Sequence, residues 1–124
     1  MRDIKFRAWH KNTKTMIDLY KITPLALSQN IDGLFLPFQD FLILMQYTGI
    51  EDENRVEIYE GDILKFYHGE NHQNLIGSVE YSLDSASYEL VYKCGDQHCS
   101  YWLMDAYPGF KIIGNIYQNP ELLK

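Results

Sequence analysis

The chain has only two cysteines, Cys94 and Cys99, among 124 residues, too few for an oxidised framework to hold a fold together. Long apolar runs are missing as well. The longest, Phe41-Leu42-Ile43-Leu44-Met45, falls far short of the ~20 residues that a membrane-spanning helix requires. The opening Met1-Arg2-Asp3-Ile4-Lys5-Phe6-Arg7 alternates charge with bulk and does not read as a secretory leader. These shortages predict a cytoplasmic protein with no membrane partner. Positive charge is also scarce, with 11 Lys/Arg against 17 Asp/Glu and a net charge of −6. That is the wrong sign for a protein whose whole surface binds nucleic acid. Catalytic motifs are absent too: the sequence holds no G-x-S-x-G elbow, no phosphate-cradling glycine loop and no H-E-x-x-H helix. The expectation is a non-enzymatic protein with no catalytic residues and no cofactor.

What the chain does have is aromatic side chains. Ten Tyr, six Phe and two Trp make up 15% of it, a density suited to half-buried pleated surfaces where a ring packs inward and a hydroxyl reaches water. The hydrophobic and charged fractions, 46% and 23%, are those of an ordinary globular domain.

Charge is unevenly spread. Residues 1–22 carry six Lys/Arg and two Asp/Glu, whereas the rest carry five and fifteen. The basic segment therefore has either an acidic neighbour, on its own chain or another, or phosphates to meet. Arg2, Lys5, Arg7, Trp9 and Lys11 are the candidate interaction residues, joined by Lys14 in the nucleic-acid reading.

Period-2 alternation dominates the pattern. Ile4, Phe6 and Ala8 alternate with Lys5, Arg7 and Trp9 on a wetter face, His10–Lys14 is turn material, and Met16–Tyr20 resumes an extended run. Pro24 breaks the pattern, Leu25–Gln29 has room for one helical turn, and Gly33–Phe38 follows Asp32-Gly33 as a short strand. Phe41–Tyr47 reads as a buried strand ending at Thr48-Gly49, followed by the charged turn Glu51–Arg55. Val56–Tyr59 and Ile63–Tyr67 flank a tight corner at Glu60-Gly61-Asp62, where Gly61 supplies a positive φ. Leu75–Leu83, Ser87–Cys94, Cys99–Met104 and Phe110–Tyr117 complete the strands, with Gly95–His98 as a four-residue hairpin loop. Pro120 opens a terminal turn of helix. The prediction is one mainly β domain over 1–124. It comprises a small SH3-like barrel or sandwich of short antiparallel strands, with its core over about 43–118, and an N-terminal hairpin appendage over 1–22.

Three stretches taken together are more specific than any one of them. They are Ile4–Trp9; Leu44–Gly49 with Glu57–Leu64; and Ile113–Leu123. In this order the set resembles the YopX family, proteins of temperate bacteriophages and of bacterial prophages. The resemblance implies a β-rich phage or prophage accessory protein without assigned catalytic residues. It also implies a partner, either a host or phage protein or a second copy of itself. One departure stands out. The family usually has a Lys-Asn-Gly turn before Glu-Ile-Tyr, and here Glu53-Asn54-Arg55-Val56 stands in its place without the glycine.

Individual residues propose chemistry only weakly. Cys94, His98 and Cys99 are candidate metal ligands, with His68 or His72 available to complete a set. A single C-x4-C pair nevertheless lacks the second pair that structural zinc sites use, which favours structural thiols or a disulfide. Glu57, Glu60 and Asp62 cluster at the central corner, where turn capping explains them better than acid–base work. Tyr88, Tyr92, Tyr101, Trp102, Tyr107 and Phe110 form a candidate stacking platform, but their neighbours are acidic and a core or protein interface suits them better.

Overall fold

A computed structural model describes residues 4–18, 42–68, 73–103 and 109–124, without the side chains of His68, Gln73 and Asn74. The protein is mainly β, with two antiparallel sheets, one of them curled into a half-barrel. The strands are β1 (Phe6–His10), β2 (Thr15–Asp18), β3 (Leu42–Glu51), β4 (Glu57–Tyr59), β5 (Asp62–His68), β6 (Gln73–Ser82), β7 (Ser87–Cys94), β8 (Gln97–Trp102) and β9 (Lys111–Asn115). A 3-10 turn over Pro120–Leu123 follows, with proline at its start. One sheet has the order β2-β1-β3-β4 and the other β8-β7-β6-β5-β9. The chain divides into two compact units, Met1–Tyr47 and Thr48–Lys124.

In the first unit the expected hairpin is present, with Ala8 opposite Ile17 and Trp9 opposite Met16. A third strand joins it: β3 pairs with β1, placing Ile43 against Trp9 and Leu44 against Ala8. This changes the reading of the wetter face. Trp9 is buried, because apolar Met16 and Ile43 flank it on both sides, while Phe6 at the other end is 39% exposed. The expected helical turn at Leu25–Gln29 and strand at Gly33–Phe38 lie outside the described residues.

The second unit is built on β5, whose two neighbours are β6 and β9. Paired on both sides, β5 buries Ile63, Leu64 and Phe66 fully, whereas Tyr67 toward its end is 45% exposed. Phe66 is the hub, meeting Tyr92 at 5.4 Å and Phe110 at 6.1 Å between ring centroids, both edge-on. Ile58, Val79 and Leu90 complete this cluster. Burying each such side chain contributes about 1.5–3 kcal/mol.

Two sequence-based boundaries move. The strand β3 does not end at Thr48-Gly49 but runs on to Glu51. Gly49, at φ 87°, absorbs the irregularity inside the strand, and Thr48 pins it by accepting from the Ile50 N–H at 3.2 Å and donating to Ile58 O at 2.7 Å. The β7–β8 loop is also two residues rather than four. Cys94 pairs with Gln97 and Lys93 with His98, leaving only Gly95-Asp96 between the strands.

Candidate functional site

The structure assembles two polar regions, one in each unit. The first is the turn of the basic hairpin. Lys11 and Lys14 are exposed there, and the turn is closed by the Lys14 N–H to His10 O at 2.8 Å. The Thr13 N–H donates to His10 Nδ1 at 3.1 Å, so that nitrogen is the acceptor and His10 helps shape the loop. The other candidate interaction residues are less available. Lys5 lies with Nζ 5.6 Å from the Tyr47 ring centroid, a cation–π contact inside its own unit. Arg7 is half-buried and Trp9 is buried. Arg2 lies outside the described residues.

The second region is the set of corners in the 48–124 unit, and here the polar side chains turn inward. Asp52 is 7% exposed and its carboxylate accepts three backbone N–H groups. Oδ1 takes Asn54 at 2.8 Å and Val56 at 2.9 Å, and Oδ2 takes Ile112 at 3.2 Å. One side chain thus shapes the β3–β4 turn and ties it to β9. The Glu53 N–H adds a bond to Phe110 O at 2.8 Å. Asp62, 2% exposed, accepts the Tyr59 N–H at 2.8 Å. It therefore caps the chain just before Gly61. Gly61, at φ 86°, donates to Val79 O at 2.9 Å and accepts from the Ile116 N–H at 2.9 Å.

Asn115 closes the region. Its Oδ1 accepts from the N–H groups of Tyr117 and Gln118, its Nδ2 donates to Gln118 Oε1 at 2.7 Å, and its own N–H donates to Asn119 Oδ1 at 3.2 Å. The Asn119 side chain lies over Gly114 so closely that a β-carbon there would meet Asn119 Oδ1 at 2.5 Å. The sequence reading assigned no role to Asp52 or Asn115. The signals were an Asp before a short Asn-containing turn and an Asn-x-x-x-Asn-Pro run, both patterns of side chains bonding nearby backbone.

The candidate metal ligands do not converge. Cys94 and Cys99 form a disulfide, S–S 2.02 Å, with Cα atoms 5.8 Å apart. They are diagonal neighbours on one face of the β7–β8 hairpin, since Cys94 pairs with Gln97 and Cys99 with Tyr92. Strand alternation sends His98 to the opposite face, and no group of three potential metal ligands occurs among the described residues. His72 and the His68 side chain lie outside those residues. The aromatic platform is dispersed as well. Tyr92 and Phe110 are core, Tyr88 and Tyr101 pack partly against it, and Trp102 is 65% exposed on the other face. Tyr107 is not among the described residues.

Antiparallel sheets joined by tight turns, with the buried polar side chains of the corners bonded to backbone, define a β scaffold. The chain belongs to the YopX protein family, which it matches over residues 5–124. It is also similar in fold to the crystal structure of protein EF1440 from Enterococcus faecalis. That likeness has a TM-score of 0.51 and 23% identity and covers 100% of both chains. No curated protein matches it. No helix among the described residues is long and apolar enough to cross a membrane.

Proposed function

We propose that the protein is a non-enzymatic accessory of a phage or prophage that works in the bacterial cytoplasm by binding another protein. Its basic hairpin docks on an acidic surface, either that of a second copy or that of a host or phage protein. The charge segregation carries this reading. Residues 1–22 hold six of the 11 Lys/Arg, whereas fifteen of the 17 Asp/Glu lie beyond them. Exposed Lys11 and Lys14 put two of those positive charges at the hairpin tip. Opposed patches steer encounter and set specificity, and they are screened by salt.

The test is sedimentation velocity of the protein alone and with host lysate fractions between about 0.01 M and 1 M salt, where the screening length falls from roughly 30 Å to 3 Å. The reading expects association that weakens steeply with salt and is lost in the double variant Lys11→Glu, Lys14→Glu. The absence of any salt-sensitive association, or survival of that association in the double variant, overturns it; a salt-resistant oligomer beside it does not bear on this reading. Nucleic-acid binding by Arg2, Lys5, Arg7, Lys11 and Lys14 is the alternative. The net charge of −6 weighs against it, and a titration with single- and double-stranded DNA at low salt tests it directly.

A further inference from the structure

The strand β8 closes one side of the five-stranded sheet, and its outer edge has a symmetry that the sequence does not advertise. The Leu103 N–H donates to Tyr88 O at 3.1 Å, which fixes the phase of the β7–β8 ladder. Hydrogen-bonded and non-bonded pairs alternate in an antiparallel ladder. Counting back along the register, Leu90–Tyr101, Tyr92–Cys99 and Cys94–Gln97 are the bonded pairs. Glu89–Trp102, Val91–Ser100 and Lys93–His98 are the non-bonded ones. The backbone N–H and C=O groups of His98, Ser100 and Trp102 therefore point away from β7. No strand pairs with them among the described residues.

Natural edge strands are usually blunted by lysine, proline, bulges or inward charges. Gln97-His98-Cys99-Ser100-Tyr101-Trp102 contains no Lys, Arg, Asp, Glu or Pro. We propose that this edge is a self-association site: two copies of the chain pair antiparallel through β8 about a twofold axis at Ser100. The three outward residues are evenly spaced around Ser100, so the axis sets His98 opposite Trp102 of the second copy, Ser100 opposite Ser100, and Trp102 opposite His98. All three are bonded pairs, each exchanging two backbone hydrogen bonds. A shift of one residue would turn every outward group against an inward one, and a shift of two would leave one outward residue of each copy unmatched.

The side chains agree with this register. Imidazole faces indole at both ends, an aromatic cross-strand pair, and no like charges are opposed. Each of the two outer rows ends in opposite charges, Lys93 beside His98 in one copy and Glu89 beside Trp102 in the other. Trp102, 65% exposed in the single chain, gains a partner, as tryptophan commonly does at the energetic centre of interfaces. His98 and Lys93 also line a hollow of about 180 Å³ together with Ser78, Val91 and Leu123. The second copy's Trp102, opposite His98, comes in beside that hollow.

The inference goes beyond the hairpin reading and does not depend on it, because backbone pairing resists salt where charge docking does not. Sedimentation equilibrium of the full chain tests it. The wild type forms a dimer that persists at high salt and in Lys11→Glu, Lys14→Glu. In Ser100→Lys the dimer weakens at least about 10-fold with an unchanged circular dichroism spectrum. Ser100→Pro does the same, because the N–H it removes lies outside the β7–β8 ladder; if that variant unfolds, Ser100→Lys decides. Under mild oxidation Ser100→Cys links two chains, since bonded pairs hold Cα atoms roughly 5.5 Å apart, within disulfide range. Ser82→Cys, away from the edge, stays unlinked. A wild type that is monomeric at all concentrations overturns the inference. So does a dimer that Ser100→Lys leaves intact, or one that dissolves with salt.

Discussion

The two units use polar residues in opposite ways. In Met1–Tyr47 the hairpin tip holds Lys11 and Lys14 out to solvent, and charge there costs the fold little. In Thr48–Lys124 the polar side chains Thr48, Asp52, Asp62 and Asn115 are buried and serve the backbone. A buried N–H or C=O without a partner costs about 1–3 kcal/mol, so a small β unit with sharp corners must spend side chains to satisfy them. The difference teaches which kind of residue to suspect of function. The stretches that carry the family resemblance in the second unit are dense in Asp, Asn and Gly, yet those residues act on the fold. Lys11 and Lys14 at the hairpin tip are instead exposed to solvent.

Substitutions that should break one side of this contrast without touching the other make it testable. The largest effect is expected at Asp52→Ala, which strips the acceptor from Asn54, Val56 and Ile112 at once and should lower stability by about 3 kcal/mol in urea unfolding. Gly114→Ala should cost about 2 kcal/mol. Its methyl group meets not only Asn119 Oδ1 but also Asn119 Cβ, at 2.9 Å, so rotating the amide away is not enough and the backbone must shift. Arg55→Gly goes the other way. Arg55 occupies the left-handed region at φ 63°, a conformation that costs a side chain about 1 kcal/mol, and glycine should raise the unfolding free energy by a few tenths to about 1 kcal/mol, read as a higher urea midpoint. The double change Lys11→Glu, Lys14→Glu should leave stability within about 0.5 kcal/mol while removing salt-dependent association. A large loss of stability there would erase the contrast.

Much of the fold was legible because alternation is a strong signal wherever one face is buried. The hairpin at β1–β2, the corner at Gly61 and the final proline-led turn all follow from residues whose local chemistry leaves few choices. Arg55 shows where that reasoning loosens. The turn before Glu57 lacks the usual glycine, yet it holds a positive φ one residue earlier, at Arg55, and the three N–H groups bound by Asp52 hold the turn in place. Trp9 and Gly49 were misjudged for one reason: their surroundings come from strands distant in sequence. Ile43 covers the indole, and Ile58 O receives the Thr48 hydroxyl that steadies the bend at Gly49. The four-residue loop at Gly95–His98 was read from its turn residues alone; pairing in fact continues to Cys94–Gln97, so the turn is shorter and the disulfide bridges a diagonal pair. The site was less legible than the fold. Side chains that bond their own backbone and side chains that await a ligand have the same composition, and only three-dimensional placement separates them.

Native-state amide hydrogen exchange tests that separation most directly, because it reads the backbone groups that Asp52, Asp62 and Asn119 are said to hold. The N–H groups of Ile112, Tyr59 and Asn115 should exchange only through opening free energies close to that of global unfolding, while Lys11 at the hairpin tip exchanges near the rate of an unstructured peptide. Rapid exchange at Ile112 and Tyr59 in a protein that is otherwise folded would show the buried carboxylates free for other work, and would contradict the account.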